Sequence, residues 1–271
     1  MYVDDLEATK ASVAMKNGRD EINVMADFIT DDVDQNGIYN IFKKLDLILI
    51  FIIGVKRMKT AKERMHTGEL YLPGDKEVME LQTKKLEMLY DFNQTRPSEG
   101  EKRAAMLKEM FAEIGTGCYL EPPFHSNFGG GHCHFGDYVY GNFNLTLVDD
   151  THIYVGSYTM FGPNVTVATA GHPIYVPLRQ AMYQHNQPVH IGKNCWIGAG
   201  AVIIPGVTIG DNVVIGAGSI VTKDIPDNVV AVGNPCKVIR TVGNKDIETY
   251  FKDRKIDWKC IEEEIGITRP E

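Results

Sequence analysis

Between residues 191 and 221 one aliphatic side chain recurs at every sixth position: Ile191, Ile197, Ile203, Ile209, Ile215 and Val221. Glycine follows it at 192, 198, 210 and 216. Upstream, Val155, Phe161 and Val167 keep the same step, with Gly156 and Gly162 behind the first two. A helix repeats at 3.6 residues and a strand at 2, so a period of six belongs to neither alone. It fits a short strand plus a corner, with the aliphatic residue inward and glycine allowing a tight turn or a close approach of backbone. Three such sides close one triangular coil of roughly 18 residues, and stacked coils bury a continuous aliphatic column.

The segment before the repeat has a different period. Residues 77–92, "EVMELQTKKLEMLYDF", are rich in helix formers and predict one helix. Ser98 followed by Glu101 has the spacing of a capping box and predicts the start of a second. Leu107, Met110, Phe111 and Ile114 then follow at steps of three and four, one apolar stripe facing a core, and Gly115 predicts the stop. The six-residue step is also interrupted once, at "ATAGHPIYVPL" (168–178), where the aliphatic residues vanish and His172 appears beside Pro173. A regular coil has flat faces and makes no cleft. An excursion that leaves at 168 and returns at Pro188 supplies one.

The first 57 residues show no six-residue step. "DVDQNGIYNIFK" (32–43) places Asp32, Asp34, Asn36 and Gly37 at calcium-loop positions, but its last position is Lys43, a cation where a bidentate Glu belongs. A polar turn is the better reading. "LILIFIIGV" (47–55) is nine apolar residues, against about 20 for a membrane helix, and has neither the place nor the cleavage site of a secretory signal.

Composition narrows the partners. The chain has 271 residues, 28 Lys plus Arg and 36 Asp plus Glu, for a net charge of −8, which argues against nucleic acid. Five cysteines without a CxxC spacing suggest neither a disulfide framework nor a zinc ribbon, and point to a cytoplasmic protein.

The repeat resembles the left-handed parallel β-helix of hexapeptide acyltransferases. From about Met58 to Arg240 the chain is similar to the maltose and galactoside O-acetyltransferase family, through "MHTGELY" (65–71), "PSEGEKR" (97–103), "EPPF" (121–124), "GNFNLTLVDD" (141–150), "AGHP" (170–173), "WIGAGAVIIPGVTIGDNVVIGAGSIVTKDIP" (196–226) and "GNPCKVIR" (233–240). The resemblance implies a mainly β fold: an extension over 1–57, a helical segment over 58–116, a β-helix over 117–240 with an arm at 168–188, and a C-terminal extension over 241–271. It implies acetyl transfer from acetyl-CoA to a sugar hydroxyl, by direct attack, in a homotrimer. His172 matches the family's general base and Asn142 the asparagine that stabilises the transition state. Ala199, Ala217, Thr222, Lys223, Lys237 and Arg240 match coenzyme A contacts, and Trp196 is placed to wall the same groove. Asp150 matches an acceptor-binding carboxylate, with Asn127, Tyr140, Gln184 and Asp75 as further candidates around the acceptor.

The chemistry suits a histidine. A sugar hydroxyl is a poor nucleophile, and an imidazole with a pKa near 6.5 takes its proton close to neutral pH. Near "GELY", where the family has an acidic residue, Leu72 and Pro73 follow and Asp75 comes later. Asn127 stands where Asp or Ser is usual, and Gln184 where Glu is common. The acceptor is therefore open, and a non-sugar hydroxyl is the alternative. Two further readings belong to other classes. Zinc carbonic anhydrases share the fold, and His134 and His152 stand one coil length apart, but no third ligand follows the required pattern, so no metal is expected. A non-catalytic β-helix is disfavoured by the intact "AGHP" and "VTKDIP".

Overall fold

The computed structural model describes residues 13–15, 28–30 and 59–270. The chain separates into two compact units, Met1–Lys59 and Thr60–Glu271. In the first, strands Val13–Met15 and Phe28–Thr30 pair in parallel. The polar loop at 32–43 and the apolar run at 47–55 lie outside the described residues.

The second unit opens with helix α1 (Ala61–Arg64), closed by a reciprocal box in which Glu63 N donates to Thr60 Oγ1 and Thr60 N donates to the Glu63 carboxylate. Helix α2 (Lys76–Asn93) starts at Asp75, whose side chain accepts from Glu77 N and Val78 N. Helix α3 (Gly100–Met110) begins without the expected Ser98–Glu101 box: a turn closed by Glu99 N on Arg96 O makes Glu99 the first flanking residue, and its carboxylate accepts from Arg96 N at 2.7 Å instead. The expected apolar stripe also divides. Leu107 and Met110 are buried on α3, whereas Phe111 is already extended and Ile114 lies in the first strand of the coil. Gly115 is therefore not the helix stop. A Cβ there would meet Asp137 N at 2.6 Å, so glycine serves the contact between successive coils.

Three parallel sheets form the sides of the β-helix. One runs from Tyr119–Leu120 through Tyr140–Gly141, Met160–Phe161, Trp196–Ile197 and Val214–Ile215 to Val229–Val232, where Lys237–Thr241 adds antiparallel and closes the stack. A second holds His125–Ser126, Thr146–Val148, Thr166–Ala168, Val202–Ile203 and Ile220–Val221; the third holds Glu113–Ile114, Cys133–Phe135, Ile153–Val155, Val189–Ile191 and Thr208–Ile209. The register sets Ile191 on Ile209, Ile197 on Ile215 and Ile203 on Val221. Each sixth-position aliphatic thus stacks on the next coil's, and all of them are buried. Full burial of one such side chain is worth about 1.5–3 kcal/mol, so the column stabilises the fold coil by coil. Leu89, Phe92, Leu107, Met110 and Phe111 of the helical segment plug its first end, against Leu120 and Phe124.

The glycines behind the aliphatics serve close approach rather than turning: a Cβ on Gly198 would lie 2.5 Å from Ala217 N and 2.7 Å from Ile215 O. The left-handed corners fall largely to asparagine. Asn144, Asn164, Asn194, Asn212 and Asn228 have φ of 55–60°. Their side chains stack into ladders, Asn194 Nδ2 donating to Asn212 Oδ1 at 3.0 Å and Asn212 Nδ2 to Asn228 Oδ1 at 2.8 Å.

The break at 168 is a hairpin arm. Ala170–Gly171 pairs antiparallel with His185–Asn186, helix α4 (Val176–Gln180) lies at its outer turn, and Gln187 N donates to Thr169 O at its base. After the coil come α5 (Asn244–Glu248), a hairpin of Thr249–Phe251 with Arg254–Lys255, and α6 (Trp258–Ile265). Among the described residues no helix is long and apolar enough to cross a membrane.

Candidate active site

His172 follows directly on the strand Ala170–Gly171 at the root of the arm and is exposed. Its Nδ1 lies 2.8 Å from Tyr183 O on the returning limb. A carbonyl only accepts, so Nδ1 carries the proton, and the neutral imidazole in this pose has its lone pair on Nε2, the form a general base requires. Asn142 sits at the end of the strand Tyr140–Gly141. Its Oδ1 accepts from Phe143 N at 2.8 Å, which leaves the Nδ2 amide as the group able to donate outward.

Asp150 is buried among amides. Asn127 Nδ2 donates to its Oδ2 at 2.7 Å and Gln184 Nε2 to its Oδ1 at 2.8 Å. Gln184 Nε2 also lies 2.7 Å from the Tyr71 hydroxyl and 3.0 Å from Asn186 Oδ1, and Asn186 Nδ2 reaches Met65 O at 2.9 Å and the Tyr71 hydroxyl at 3.0 Å. Burial, with the nearby Asp150 carboxylate, pushes the Tyr71 hydroxyl up to about 12 against the pull of the Asn186 and Gln184 hydrogen bonds, so it stays protonated. The preceding residue, Asp149, does a different task. It accepts from Ser126 Oγ, Phe128 N and Gly130 N, and so anchors the glycine loop at 129–131 beneath the site. Burial raises its pKa.

A cleft of about 430 Å³ opens beside this network, lined among others by Tyr71, Leu72, Pro73, Asp75, Met182 and Tyr183. Asp75 borders it, with one carboxylate oxygen committed to capping α2. Tyr140 lies on the outer face of the seven-stranded sheet, stacked with Tyr119 at 6.4 Å between centroids. Further along the same face Met160 pairs with Trp196, which is 56% exposed. Ala199 and Ala217 lie at corresponding corners, Gly218 N donating to Ala199 O, and the glycines beside them, Gly200 and Gly218, have φ of +68° with open space around the missing Cβ. Bare backbone is thus presented along one edge of the coil, where a slender chain can approach.

Thr222, Lys223 and Lys237 are exposed near the last coils. Arg240 is not an open cation: both its terminal nitrogens bond the Asp246 carboxylate at 2.7 Å. Tyr71 and Asn186 complete the network around Asp150; Tyr71 closes the "MHTGELY" stretch without a role of its own being marked there, and Asn186 carries no motif or period that marks it in the sequence.

His134 pairs in register with Tyr154 rather than His152, because that coil is two residues longer than the regular one. It still reaches His152, Nε2 to Nδ1 at 2.9 Å, while its Nδ1 lies 3.0 Å from a Glu113 oxygen but out of line for a hydrogen bond. His66 packs against His132 and His152 at centroid distances of 4.7 and 4.9 Å. Among the described residues no group of three His, Cys, Asp or Glu side chains is placed to hold a metal ion.

A parallel β-helix of six-residue sides, plugged by helices and broken by one histidine-bearing arm, defines a hexapeptide-repeat protein of the acyltransferase kind. Comparison with known proteins gives the family. Residues 64–115 match the maltose acetyltransferase hexapeptide capping motif, and residues 188–223 match the hexapeptide repeat of succinyl-transferase. The galactoside O-acetyltransferase of Lactococcus lactis is 53% identical over 195 residues, 72% of this chain and 94% of the relative; that of Escherichia coli is 47% identical, over 72% and 96%. A galactoside acetyltransferase solved in complex with coenzyme A superposes with a TM-score of 0.71 at 46% identity, covering 73% of this chain and 99% of that one. A maltose O-acetyltransferase from Clostridium difficile gives 0.67 at 41%, over 69% and 99%. The chain belongs to the galactoside and maltose O-acetyltransferase family. Residues 5–42 match an unrelated family, haloacid dehalogenase-like hydrolase.

Proposed function

We propose that the protein transfers acetyl from acetyl-CoA to a hydroxyl of a galactoside- or maltose-like sugar, with His172 as general base. The observation that carries this reading is the Nδ1–Tyr183 O bond, which turns a basic Nε2 outward at the root of the arm. The relatives named above are sugar O-acetyltransferases, and one was solved with coenzyme A. Nε2 of His172 takes the acceptor's proton as its oxygen attacks the thioester carbon. Asn142 Nδ2 donates to the oxyanion that forms, a contact whose loss typically costs about a hundred- to thousandfold in rate. The carbon–sulfur bond then breaks and the imidazolium returns the proton to the thiolate. Both substrates are bound together and no covalent acyl-enzyme forms.

Coenzyme A lies along the edge built by Trp196, Ala199 and Ala217, with Thr222, Lys223 and Lys237 toward its nucleotide end. Arg240, which holds Asp246 through both terminal nitrogens, meets a phosphate with its remaining N–H groups or by giving up Asp246. The acceptor lies over Asp150 and Tyr140, with Asn127 and Gln184 holding the carboxylate and Asp75 at the rim of the cleft. The assembly is a homotrimer, with sites between subunits. Thiol release from acetyl-CoA, measured against a panel of galactosides, maltose, glucose and simple alcohols, tests the acceptor class. Release that depends on a sugar supports the reading; release as fast with simple alcohols as with any sugar overturns it.

A further inference from the structure

Gln184 joins the two halves of the candidate site. Its backbone pairs with Tyr71 in an isolated antiparallel bridge, each N donating to the other's O at 3.0 Å. Its amide donates to Asp150. The carbonyl just before it in the chain, Tyr183 O, receives the His172 proton. Base and acceptor carboxylate are therefore both referenced to one residue.

Tyr71 holds that residue in place. Its side chain is 1% exposed and its hydroxyl lies within reach of both the Gln184 and Asn186 amide nitrogens. An amide NH₂ has two protons. Gln184 Nε2 faces three oxygens within 3.0 Å, on Tyr71, Asp150 and Asn186, so it shares its protons among them. A fixed hydroxyl on one side keeps the amide from swinging away from Asp150. A buried amide left without it is destabilised and relaxes to find another partner. The peptide that carries Tyr183 O then moves with it.

We propose that Tyr71 is a positioning residue: through Gln184 it sets the distance between the His172 imidazole and the Asp150 carboxylate and fixes the imidazole as the Nδ1–H tautomer. The proposal rests on the reading of His172 as the base. Tyr71 touches neither reacting atom, and Gln184, buried behind Asp150, acts here as a strut rather than as a sugar ligand.

The test is Tyr71→Phe in the full chain, which keeps the ring and the backbone bridge and removes only the hydroxyl. Two quantities are read: kcat and KM for thiol release from acetyl-CoA with the best sugar acceptor, and the ¹⁵N shifts of the His172 ring, which report its tautomer without any turnover. We expect kcat to fall about tenfold or more, KM for acetyl-CoA to stay put, and the ring to change from Nδ1–H to a mixture of tautomers. Gln184→Met, unbranched and similar in length, removes all three side-chain hydrogen bonds and should reproduce the pattern; it decides the matter if the tyrosine variant melts below the assay temperature. A lower melting temperature with unchanged kcat and unchanged ring shifts means that Tyr71 only packs, and overturns the proposal. If the parent shows no sugar-dependent release, the functional reading fails, and the ring shifts alone then decide whether Tyr71 sets the imidazole.

Discussion

At the scale of single residues, the aliphatic at each sixth position was readable because nothing but a repeated inward site asks for that spacing. Its glycine was readable as a special position, but the reason differs from turning. Gly198 meets backbone atoms of the next coil, Ala217 N and Ile215 O, which cannot move aside as a side chain can. Gly198→Ala is therefore expected to lower stability by about 1–3 kcal/mol, the range for overpacking, in a urea titration that leaves the m value unchanged. The asparagine corners were not legible, since asparagine is common in every kind of turn and only the structure shows the ladder from Asn194 to Asn228. Asn212→Ala should cost about 1–2 kcal/mol, because alanine bears the left-handed φ without a side-chain bond in return. Tyr71 stands in the "MHTGELY" stretch, but its role was illegible: its partners, Gln184 and Asn186, are more than a hundred positions away, and no local pattern encodes them.

At the scale of elements, α2 follows from its composition, while the start of α3 shows how a local rule is overruled. The Ser98–Glu101 spacing is correct for a box, but the turn between Arg96 and Glu99 sets the helix one residue later. The segment carrying α1 is held to the coil by imidazoles. His66 bonds Thr151 at 3.0 Å and packs on His132 and His152, with Lys62 on the preceding α1 and the Asp149 carboxylate beyond His132. Burial, then the neighbouring His132, His152 and Lys62, brings its pKa down from 6.5 to about 4; burial also lowers that of His152. The unfolded chain thus binds protons that the folded one refuses. This contribution to stability is whole above about pH 6.5 and is lost as pH falls toward about 4. Melting temperatures taken between these limits should drop with acid, and His66→Phe, which keeps a ring but no basic nitrogen, should flatten that slope. An equal slope in parent and variant would move the acid sensitivity to other groups.

At the scale of the whole molecule, the L. lactis relative matches 72% of the chain, and the two matched segments of the family, 64–115 and 188–223, both fall in the second unit. The first unit's likeness to a hydrolase family over 5–42 is not legible in the residues, where the one recognisable motif is a calcium-like loop with the wrong last residue. A chain beginning at Met58 is expected to be soluble and to keep the acetyl transfer of the full one; aggregation or loss of activity would make the first unit part of the working fold. The trimer is what the family resemblance implies, with the arm at 168–188 as the feature that would reach a neighbouring subunit. Light scattering should give three times the 30.3 kDa chain mass, and a mass of one or two chains would remove the proposed sites between subunits.

The central claim is that His172 abstracts the acceptor's proton. Measured at neutral pH with acetyl-CoA and the preferred sugar, His172→Ala should lose about a hundred- to ten-thousandfold in kcat, the usual share of a general base. Coenzyme A affinity and the melting temperature should stay at the parent's values, since the edge at Trp196, Ala199 and Ala217 and the column from Ile191 to Val221 are built elsewhere. A variant that keeps most of the parent's kcat would contradict the account and leave His172 a residue of the turn.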